Sequence, residues 1–308
     1  MDVLTEVFAA LRLEAGLYFS TCFRGDFAVR LAAEQRRIRF HLVLEGACVV
    51  TVPEERQVSV AQGELVLIPD GAPQTLSSGE DVSQALDLDE VLSRAPPLDG
   101  VLEFGEQGPS CRILCGFLRF DEAIDHPVLK NLPAVIALPH SDCEMPAGAI
   151  AALDLLRAET REQAPGQAAI VLRAVEILLM QVARQRLAGR ADEGFAVALA
   201  DPRLGKALSV IHAQPARQWT LDTLAGHAGM SRSRFAQRFM QRVGLTPVAY
   251  LTQWRMIRAR QLLTEPGLDM AEIAEQCGYR SVPAFGRRFA QVFGVGPGQW
   301  RRSHRAMS

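Results

Sequence analysis

The pattern of apolar residues in the C-terminal third of the chain predicts short helices. The segment 221–228 places apolar residues at i, i+3, i+4 and i+7, the spacing of a short amphipathic helix. Gly229 suits the end of that helix, and Ser231 suits the N-cap of the next. The next helix has Phe235 and Phe239 one turn apart on its buried face. Two short helices joined by a glycine-containing turn are typical of a helix-turn-helix.

This unit occurs twice. An offset of 50 residues relates Phe235 to Phe285, Phe239 to Phe289, Gly244 to Gly294 and Pro247 to Pro297. In the second copy, residues 270–277 predict the first helix, Gly278 ends it and Ser281 suits the next N-cap. A longer helix from Pro247 to Leu263 joins the copies. Such a pair can place two recognition helices in successive major grooves, about 34 Å apart.

The front half of the chain predicts β-structure between residues 27 and 76. Runs rich in β-branched and apolar residues at 40–45, 47–52, 58–60 and 65–68 are separated by Gly46, Gly63 and Pro69. Regular spacing of short strands is typical of a small barrel or sandwich.

Residues 149–190 predict two helices with a break at Pro165 and Gly166. The run from Ile170 to Val182 is too apolar for a helix surrounded by solvent. It therefore packs on the β-domain, forms a dimer seam, or does both. Residues 188–201, rich in small and charged residues, are interpreted as a linker.

Charge separates the two halves of the chain more sharply than the net value of −2 suggests. Residues 201–308 contain 16 Lys and Arg against 6 Asp and Glu, a net charge of +10, and residues 1–200 carry −12. A basic C-terminal region favours a polyanionic partner such as double-stranded DNA.

A hydrophobic fraction of 48% favours packed domains. With no apolar run of about 18 residues and no secretory leader pattern, we expect a cytoplasmic protein without a membrane span.

The repeated unit resembles the AraC/XylS family of transcription regulators. The resemblance is carried by residues 278–302, GYRSVPAFGRRFAQVFGVGPGQWRR, and by the first copy at 224–247. Gly296 and Trp300 depart mildly from the family pattern, which commonly has Ser or Thr and Tyr there. The resemblance implies a sequence-specific transcription regulator, usually an activator, with promoter DNA and RNA polymerase as partners.

The DNA-facing residues are predicted from their positions on the two recognition helices. Ser233 and Gln237 lie one turn apart and away from the buried phenylalanines, so they can reach base edges. Arg287 occupies the position equivalent to Gln237 and can contact guanine bidentately, while Val282 and Pro283 can touch a thymine methyl group. The predicted phosphate contacts are Arg232, Arg234, Arg238, Arg280 and Arg288.

The front half resembles the cupin-type sensor domain of some AraC-family regulators. The resemblance is carried by Gly63-x5-Pro69-x-Gly71, by residues 115–121 and by residues 126–133. Many cupins are metalloenzymes, so a cupin enzyme with a DNA-binding tail is an alternative function. Such a metal needs about three converging ligands. Val43 and Gln74 stand where further histidines are expected, which leaves His41 as a lining residue of a small-molecule pocket and predicts no metal, no cofactor and no catalytic residue.

The cysteines admit two interpretations. Free cysteines are usually small buried hydrophobic residues. Alternatively, Cys22, Cys111 and Cys115 form a redox sensor, in which a thiolate is oxidised and trapped by a second thiol. Arg24 and Arg112 lie close in sequence and can lower a thiol pKa. This arrangement is similar to that of reactive-chlorine-responsive regulators of the same architecture. An organic effector in the β-domain is the other candidate signal.

The predicted fold class is α+β. An N-terminal β-barrel or cupin-like domain carries a helical dimerisation segment and precedes a C-terminal all-α domain with two helix-turn-helix units. The predicted boundaries are 1–148 for the sensor domain, 149–190 for the helical pair, 191–202 for the linker and 203–305 for the DNA-binding domain. We expect a homodimeric regulator that responds to a small molecule or an oxidant. A constitutive DNA-binding dimer without an effector is the remaining alternative.

Overall fold

A computed structural model gives the fold of the chain. The residues it describes are 2–11, 13–105, 107–120, 132–139, 145–161, 164–188 and 195–305. The chain divides into two compact units. The sheet unit contains Leu13–Phe120 and Leu132–Gln185, and the helical unit contains Met1–Arg12 and Arg186–Ser308.

The sheet unit is built from eleven described strands in two sheets. The strands are β1 (Glu14–Arg24), β2 (Ala28–Leu31), β3 (Arg37–Glu45), β4 (Ala47–Thr51), β5 (Val58–Ala61), β6 (Leu65–Ile68), β7 (Gln74–Ser77), β8 (Leu86–Asp87), β9 (Val101–Phe104), β10 (Ser110–Arg119) and β11 (Ile136–Leu138). One sheet has the order β11-β6-β3-β10-β1-β9, and the other has the order β5-β4-β7-β2-β8. The sheets are mostly antiparallel, with β9 parallel to β1 and β8 parallel to β2.

The core of the sheet unit lies between the two sheets. Alternate residues of a strand point to opposite faces, so each strand contributes every second side chain to this core. Val43 and Ile113 of the first sheet pack with Val50, Val60 and Leu76 of the second. The predicted cupin-like β-domain is confirmed, and its strands at 40–45, 47–52, 58–60 and 65–68 match β3 to β6 within a few residues.

Three helices complete the sheet unit: α2 (Leu88–Arg94), α3 (Ala147–Glu159) and α4 (Gln167–Ala188). The predicted break at Pro165 and Gly166 separates α3 from α4, and Gly166 adopts a φ of 84° there. Arg157 of α3 donates from Nε to the carbonyl oxygen of Gly63 at 2.7 Å, which holds α3 to the turn between β5 and β6.

The helical unit contains the remaining described helices. They are α1 (Val3–Leu11), α5 (Phe195–Ala200), α6 (Leu204–Ala213), α7 (Leu221–His227), α8 (Arg232–Val243), α9 (Pro247–Thr264), α10 (Met270–Gln276), α11 (Val282–Phe293) and α12 (Pro297–Arg305). Helix α9 begins at Pro247, as predicted, after the N-cap Thr246. It contacts α7 and α8 on one side and α10, α11 and α12 on the other, so it holds both helix-turn-helix units.

Two predicted boundaries differ from the structure. The predicted linker 191–202 contains helix α5, whose Phe195 and Ala198 are fully buried. Residues 3–11, predicted to belong to the sensor domain, form α1 and contact α6 and α9 of the helical unit. Glu6 of α1 lies 3.4 Å from Nδ1 of the buried His212. The burial of apolar side chains places both segments, residues 195–200 and residues 3–11, in the helical unit. Composition alone does not reveal which side chains are buried.

Among the residues described, no helix has both the length and the apolar character needed to cross a membrane.

Candidate nucleic-acid interface and the interior of the sheet unit

Helix α8 is the recognition helix of the first unit. It follows Ser231, whose extended backbone is the predicted N-cap conformation, and it ends at Gly244 with a φ of 78°. Phe235 and Phe239 are fully buried, with ring centroids 5.5 Å apart. Because these rings fix one face of the helix in the core, the opposite face is turned to solvent.

Helix α11 repeats this arrangement in the second unit. The hydroxyl of Ser281 accepts from the backbone nitrogen of Ala284 at 3.4 Å, and Gly294 ends the helix with a φ of 74°. Phe285 and Phe289 are fully buried, with ring centroids 5.8 Å apart. The predicted cap positions and buried pairs of both units are therefore present, and the side chain of Ser281 makes a capping hydrogen bond that the side chain of Ser231 does not make.

The first recognition helix exposes most of the predicted DNA-binding residues. Arg232, Ser233, Arg234 and Gln237 are exposed. Arg232 lies 3.5 Å from Asp222, but both side chains are about two-thirds exposed, so this pair is weak and leaves Arg232 accessible.

Arg238 has a different environment from the one expected of a phosphate contact. Its Nε donates to Oδ2 of Asp201 at 2.9 Å, and its Nη2 donates to the same oxygen at 2.5 Å. The Asp201 side chain is 7% exposed, and its pKa is lowered. Burial raises that pKa, but hydrogen bonds from the backbone of Arg203 and Leu204 and from Arg238 outweigh it. Arg238 thus joins α8 to the segment that the sequence assigned to a linker.

The second recognition helix exposes a different set of side chains. Arg280, Val282, Pro283, Arg287 and Arg288 are exposed. Arg288 donates from Nη1 to Oε1 of Gln291 at 2.8 Å along its own helix. Among the described residues, Arg287 has no salt bridge, so its guanidinium is available to a partner.

Arg255 of α9 holds the segment between α6 and α7 next to the turn of the second unit, a role that no sequence pattern predicts. Its Nε donates to the carbonyl oxygen of Pro215 at 2.8 Å, and its Nη2 donates to that of Arg217 at 2.9 Å. A side chain at Gly278 would come within 2.6 Å of Arg255 Nη2. The turn between α10 and α11 therefore needs glycine for space as well as for its φ of 75°.

The interior of the sheet unit brings His41 and Cys115 together, as their cross-strand register requires. His41 Nδ1 lies 3.1 Å from Cys115 Sγ, and its Nε2 lies 2.7 Å from Nε2 of Gln74. Burial and the nearby charge of Arg39 lower the pKa of His41 to about 3, so the ring is neutral. Burial raises the pKa of the Cys115 thiol to about 12.

Cys48, for which no role was predicted, also lies in the interior of the sheet unit. Its side chain and that of Cys111 are hydrogen-bonded, which raises the pKa of Cys48 and lowers that of Cys111. The two cysteines come from different sheets, on β4 and β10, so no local spacing signals the contact. Buried and more exposed residues alternate along β4, and this alternation points the Cys48 side chain inward.

Cys22 does not join this group. On β1 its cross-strand neighbour is Arg112, whereas Cys111 pairs with the adjacent Phe23. Neighbouring residues of a strand face opposite sides, so Cys22 lies on the face away from the interior core. The structure therefore does not bring Cys22 together with Cys111 and Cys115, and the redox role of these cysteines stays a prediction. Most of the segment 126–133, which carries part of the cupin resemblance, lies outside the described residues.

The donors at the cupin metal position are His41, Cys115 and the amide Gln74, and Val43 is apolar. Both ring nitrogens of His41 already have partners there. Within the described ranges, no cluster of three His, Cys, Asp or Glu side chains is arranged to hold a metal ion.

Comparison with known proteins assigns the family. A family model described as Cupin matches residues 2–188, and one described as Helix-turn-helix domain matches residues 224–303. A putative AraC-like transcription regulator of Streptomyces antibioticus is 31% identical over 307 residues, which cover 98% of this chain and 99% of that protein. The chain belongs to the AraC-like transcription regulators.

Two further relatives of this AraC-like regulator span most of its length. A putative AraC-like transcription regulator of Streptomyces lividans is 32% identical over 98% of each chain. The RCS-specific HTH-type transcriptional activator RclR of Escherichia coli is 27% identical over 90% of this chain and 88% of that protein. The predicted cupin and AraC-type domains are confirmed, and so is the prediction that the chain is a regulator and not an enzyme.

Proposed function

We propose that this AraC-like regulator is a sequence-specific DNA-binding activator whose N-terminal domain receives the signal. The carrying observation is the pair of recognition helices, which bury equivalent phenylalanines and expose different polar faces. Repeated buried residues give both helices the same support, and different exposed residues allow each helix to read different bases. We extend the activator role to this chain from the Escherichia coli relative, which is named a transcriptional activator.

The exposed residues suggest a division of labour on DNA. We assign Ser233, Gln237 and Arg287 to base edges, and Val282 with Pro283 to a thymine methyl group. Arginines contact phosphates, which fixes the register of the protein without reading sequence. The assigned phosphate contacts are Arg232, Arg234, Arg280 and Arg288. The bond of Arg238 to Asp201 supports a role in holding α8 in place instead.

The test is binding of the full chain to an operator and to single-base variants of it, with Arg287→Ala as the key variant. The expected cost on the preferred operator is about 1–3 kcal/mol, and discrimination at one base pair relaxes. Arg94→Ala is the matched control because this exposed arginine belongs to the sheet unit and pairs only along its own helix, with Glu90. Equal weakening on every sequence would reassign Arg287 to a phosphate.

We further propose a homodimer that acts in the cytoplasm with promoter DNA and RNA polymerase. Ile170 and Ile177 of α4 lie seven residues apart on one face and are 38% and 41% exposed. An exposed apolar face on a long helix suits a matching face of a second copy. Sedimentation equilibrium at micromolar concentration measures the state. A monomer for the wild type contradicts the dimer, and Ile177→Glu is expected to shift a dimer toward monomer.

A second candidate signal is an oxidant, and the contact between Cys48 and Cys111 favours it. The lowered pKa of Cys111 favours its thiolate, and Cys48, its hydrogen-bonded neighbour, would trap the oxidised sulfur. Hypochlorous acid would convert the two thiols to one disulfide and release chloride, water and a proton. Transcription in vitro with reduced and oxidised protein tests this idea. Cys111→Ser is expected to abolish the response and Cys22→Ser to retain it; a response lost only in Cys22→Ser refutes the assignment.

A further inference from the structure

A small cavity lies inside the sheet unit, between β1, β2 and α2. Its volume is about 60 Å³, and its walls are mainly apolar, formed by residues such as Phe19, Phe23, Val29, Leu76 and Leu88. One buried water needs roughly 10–15 Å³, and a cavity of about 150 Å³ accommodates benzene. The inner cavity therefore has room for a few aliphatic carbon atoms, but not for an aromatic ring.

The inner cavity adjoins a larger and more open one. This outer cavity has a volume of about 460 Å³, and the two share Leu31, Glu34, Arg39 and Leu88 as lining residues. A molecule can thus place a short apolar tail in the inner cavity and a polar head beside Arg39.

Arg39 is the polar side chain that separates the two cavities. Its side chain is only 5% exposed. Nη2 donates to the carbonyl oxygen of Ala32 at 2.5 Å, and Nε donates to Oε2 of Glu34 at 3.4 Å. Nη1 is buried and has no acceptor among the residues the structure describes. A buried donor without a partner is costly, and a buried guanidinium donor is more so, which makes an acceptor at this position favourable.

The charges around Arg39 favour an anionic acceptor. Glu34 is the one carboxylate shared by two guanidinium groups, since Arg37 Nη1 also lies 3.3 Å from its Oε2. One positive charge is therefore left over at the boundary between the cavities. Farther out on the rim, Arg30 and Asp87 pair at 3.0 Å, and Asp89 adds a negative charge that disfavours ligands with more than one carboxylate.

We propose that the sheet unit binds a short aliphatic monocarboxylate, with its tail in the inner cavity and its carboxylate beside the guanidinium of Arg39, which lines both cavities. The ligand class is set by a cavity too small for a ring, an apolar wall and one unpartnered guanidinium donor. As the signal for transcription, this binding rests on the function proposed above, in which the N-terminal domain receives an effector. The binding itself is a property of the sheet unit and is measured separately.

Calorimetry on the full chain tests the site with three probes: butyrate, butyramide and phenylacetate. Butyrate is expected to bind about tenfold or more tightly than butyramide, because only the carboxylate makes a charge-assisted pair with Arg39. Phenylacetate is expected to bind more weakly than butyrate because its ring exceeds the inner cavity. The proposal is overturned if butyrate fails to bind at millimolar concentration, or if butyramide or phenylacetate binds as well.

Variants locate the binding. Arg39→Met keeps much of the side-chain volume and is expected to remove the preference for butyrate over butyramide. Arg94→Ala, far along the chain on α2, is expected to preserve it. A preference that survives in folded Arg39→Met refutes the role of Arg39, and the wild-type probe series decides the question if that variant does not fold. Operator binding is measured in parallel. If the chain binds DNA selectively but does not bind butyrate, this inference is refuted and the proposed function stands.

Discussion

The two helix-turn-helix units are alike where they are buried and different where they are exposed. Phe235 and Phe239 of the first unit and Phe285 and Phe289 of the second are all fully buried. At equivalent positions outside the buried pairs, Ser233 is replaced by Pro283, Arg234 by the half-buried Ala284 and Gln237 by Arg287. Buried positions must fit a close-packed core, and exposed positions are free to differ. The comparison indicates that the scaffold is repeated and that the DNA-reading chemistry is not.

The two units also differ in what holds their recognition helices. Phe239 packs against Tyr250 of α9, with ring centroids 5.8 Å apart. Phe289 instead packs against Phe293, at 4.5 Å, and against Trp300 of α12, at 6.3 Å. Each recognition helix therefore packs against one aromatic residue of the helix that follows it, and the second unit adds Phe293 at the end of its own recognition helix.

The largest expected effect is the loss of a buried ring. Phe239→Ala and Phe289→Ala are each expected to lower the free energy of unfolding of the helical unit by about 3–5 kcal/mol, from lost burial and the cavity left behind. Chemical denaturation followed by circular dichroism measures both. Met240→Ala and Val292→Ala, at residues 48% and 42% exposed on the same helices, are matched controls expected to change stability by about 0.5 kcal/mol or less.

Similar costs for the two phenylalanine variants would support equal scaffolds. A cost below about 1 kcal/mol in one unit would show that its core is not close-packed and would break the comparison.

The repeated scaffold was predictable because its signals are local. Helix periodicity, the N-cap Ser231 and the C-terminal Gly244 act within a few residues of the turns they control. The strands followed similarly from short runs of β-branched residues. The predicted N-cap Ser281 and the predicted helix start at Pro247 are also where the structure has them.

Other features depend on contacts between residues far apart in sequence, and these were not predictable. The bond of Arg238 to Asp201 spans 37 residues, and the contact of His41 with Cys115 spans 74. Arg39 is a charged residue within an apolar strand, and only the fold shows that its guanidinium is buried beside a cavity. Helix α1 is amphipathic, but its sequence does not specify which unit it joins.

The N-caps of the first helices give an intermediate effect and sharpen the comparison. Asp269 Oδ1 accepts from the backbone nitrogens of Ala271 and Glu272, both at 2.8 Å, whereas the Thr220 hydroxyl accepts from that of Thr223 at 3.2 Å. Asp269→Ala is therefore expected to cost about 1–2 kcal/mol, and Thr220→Ala about 0.5–1 kcal/mol. Thermal unfolding of the two variants measures the difference.

Asp269→Asn is the control for the N-cap, because asparagine keeps an acceptor and is expected to restore most of the stability. If Thr220→Ala proves the more costly change, the geometric ranking of the two caps is wrong.

The smallest effect concerns the two equivalent arginines. Arg238 is bonded to Asp201, which is 7% exposed, whereas Arg288 bonds to Gln291 of its own helix and to the nearby Tyr279. Since the Arg238 side chain is 42% exposed, solvent screens the pair, and Asp201→Asn is expected to cost about 1 kcal/mol or less. Arg288→Ala is expected to leave stability nearly unchanged while weakening DNA binding on all sequences.

The pH dependence of that cost identifies its origin. The pKa of Asp201 is lowered from 3.8 in the folded chain, so its stabilising contribution is complete above that value and is lost as the pH falls below it. The stability difference between wild type and Asp201→Asn should be measurable by denaturation at pH 7 and shrink toward pH 3. A difference that is the same at both values would mean that the substitution disturbs packing rather than the ion pair. In that case the contrast between Arg238 and Arg288 would not be electrostatic, and Arg238 would return to the phosphate-contact assignment that its equivalent, Arg288, keeps.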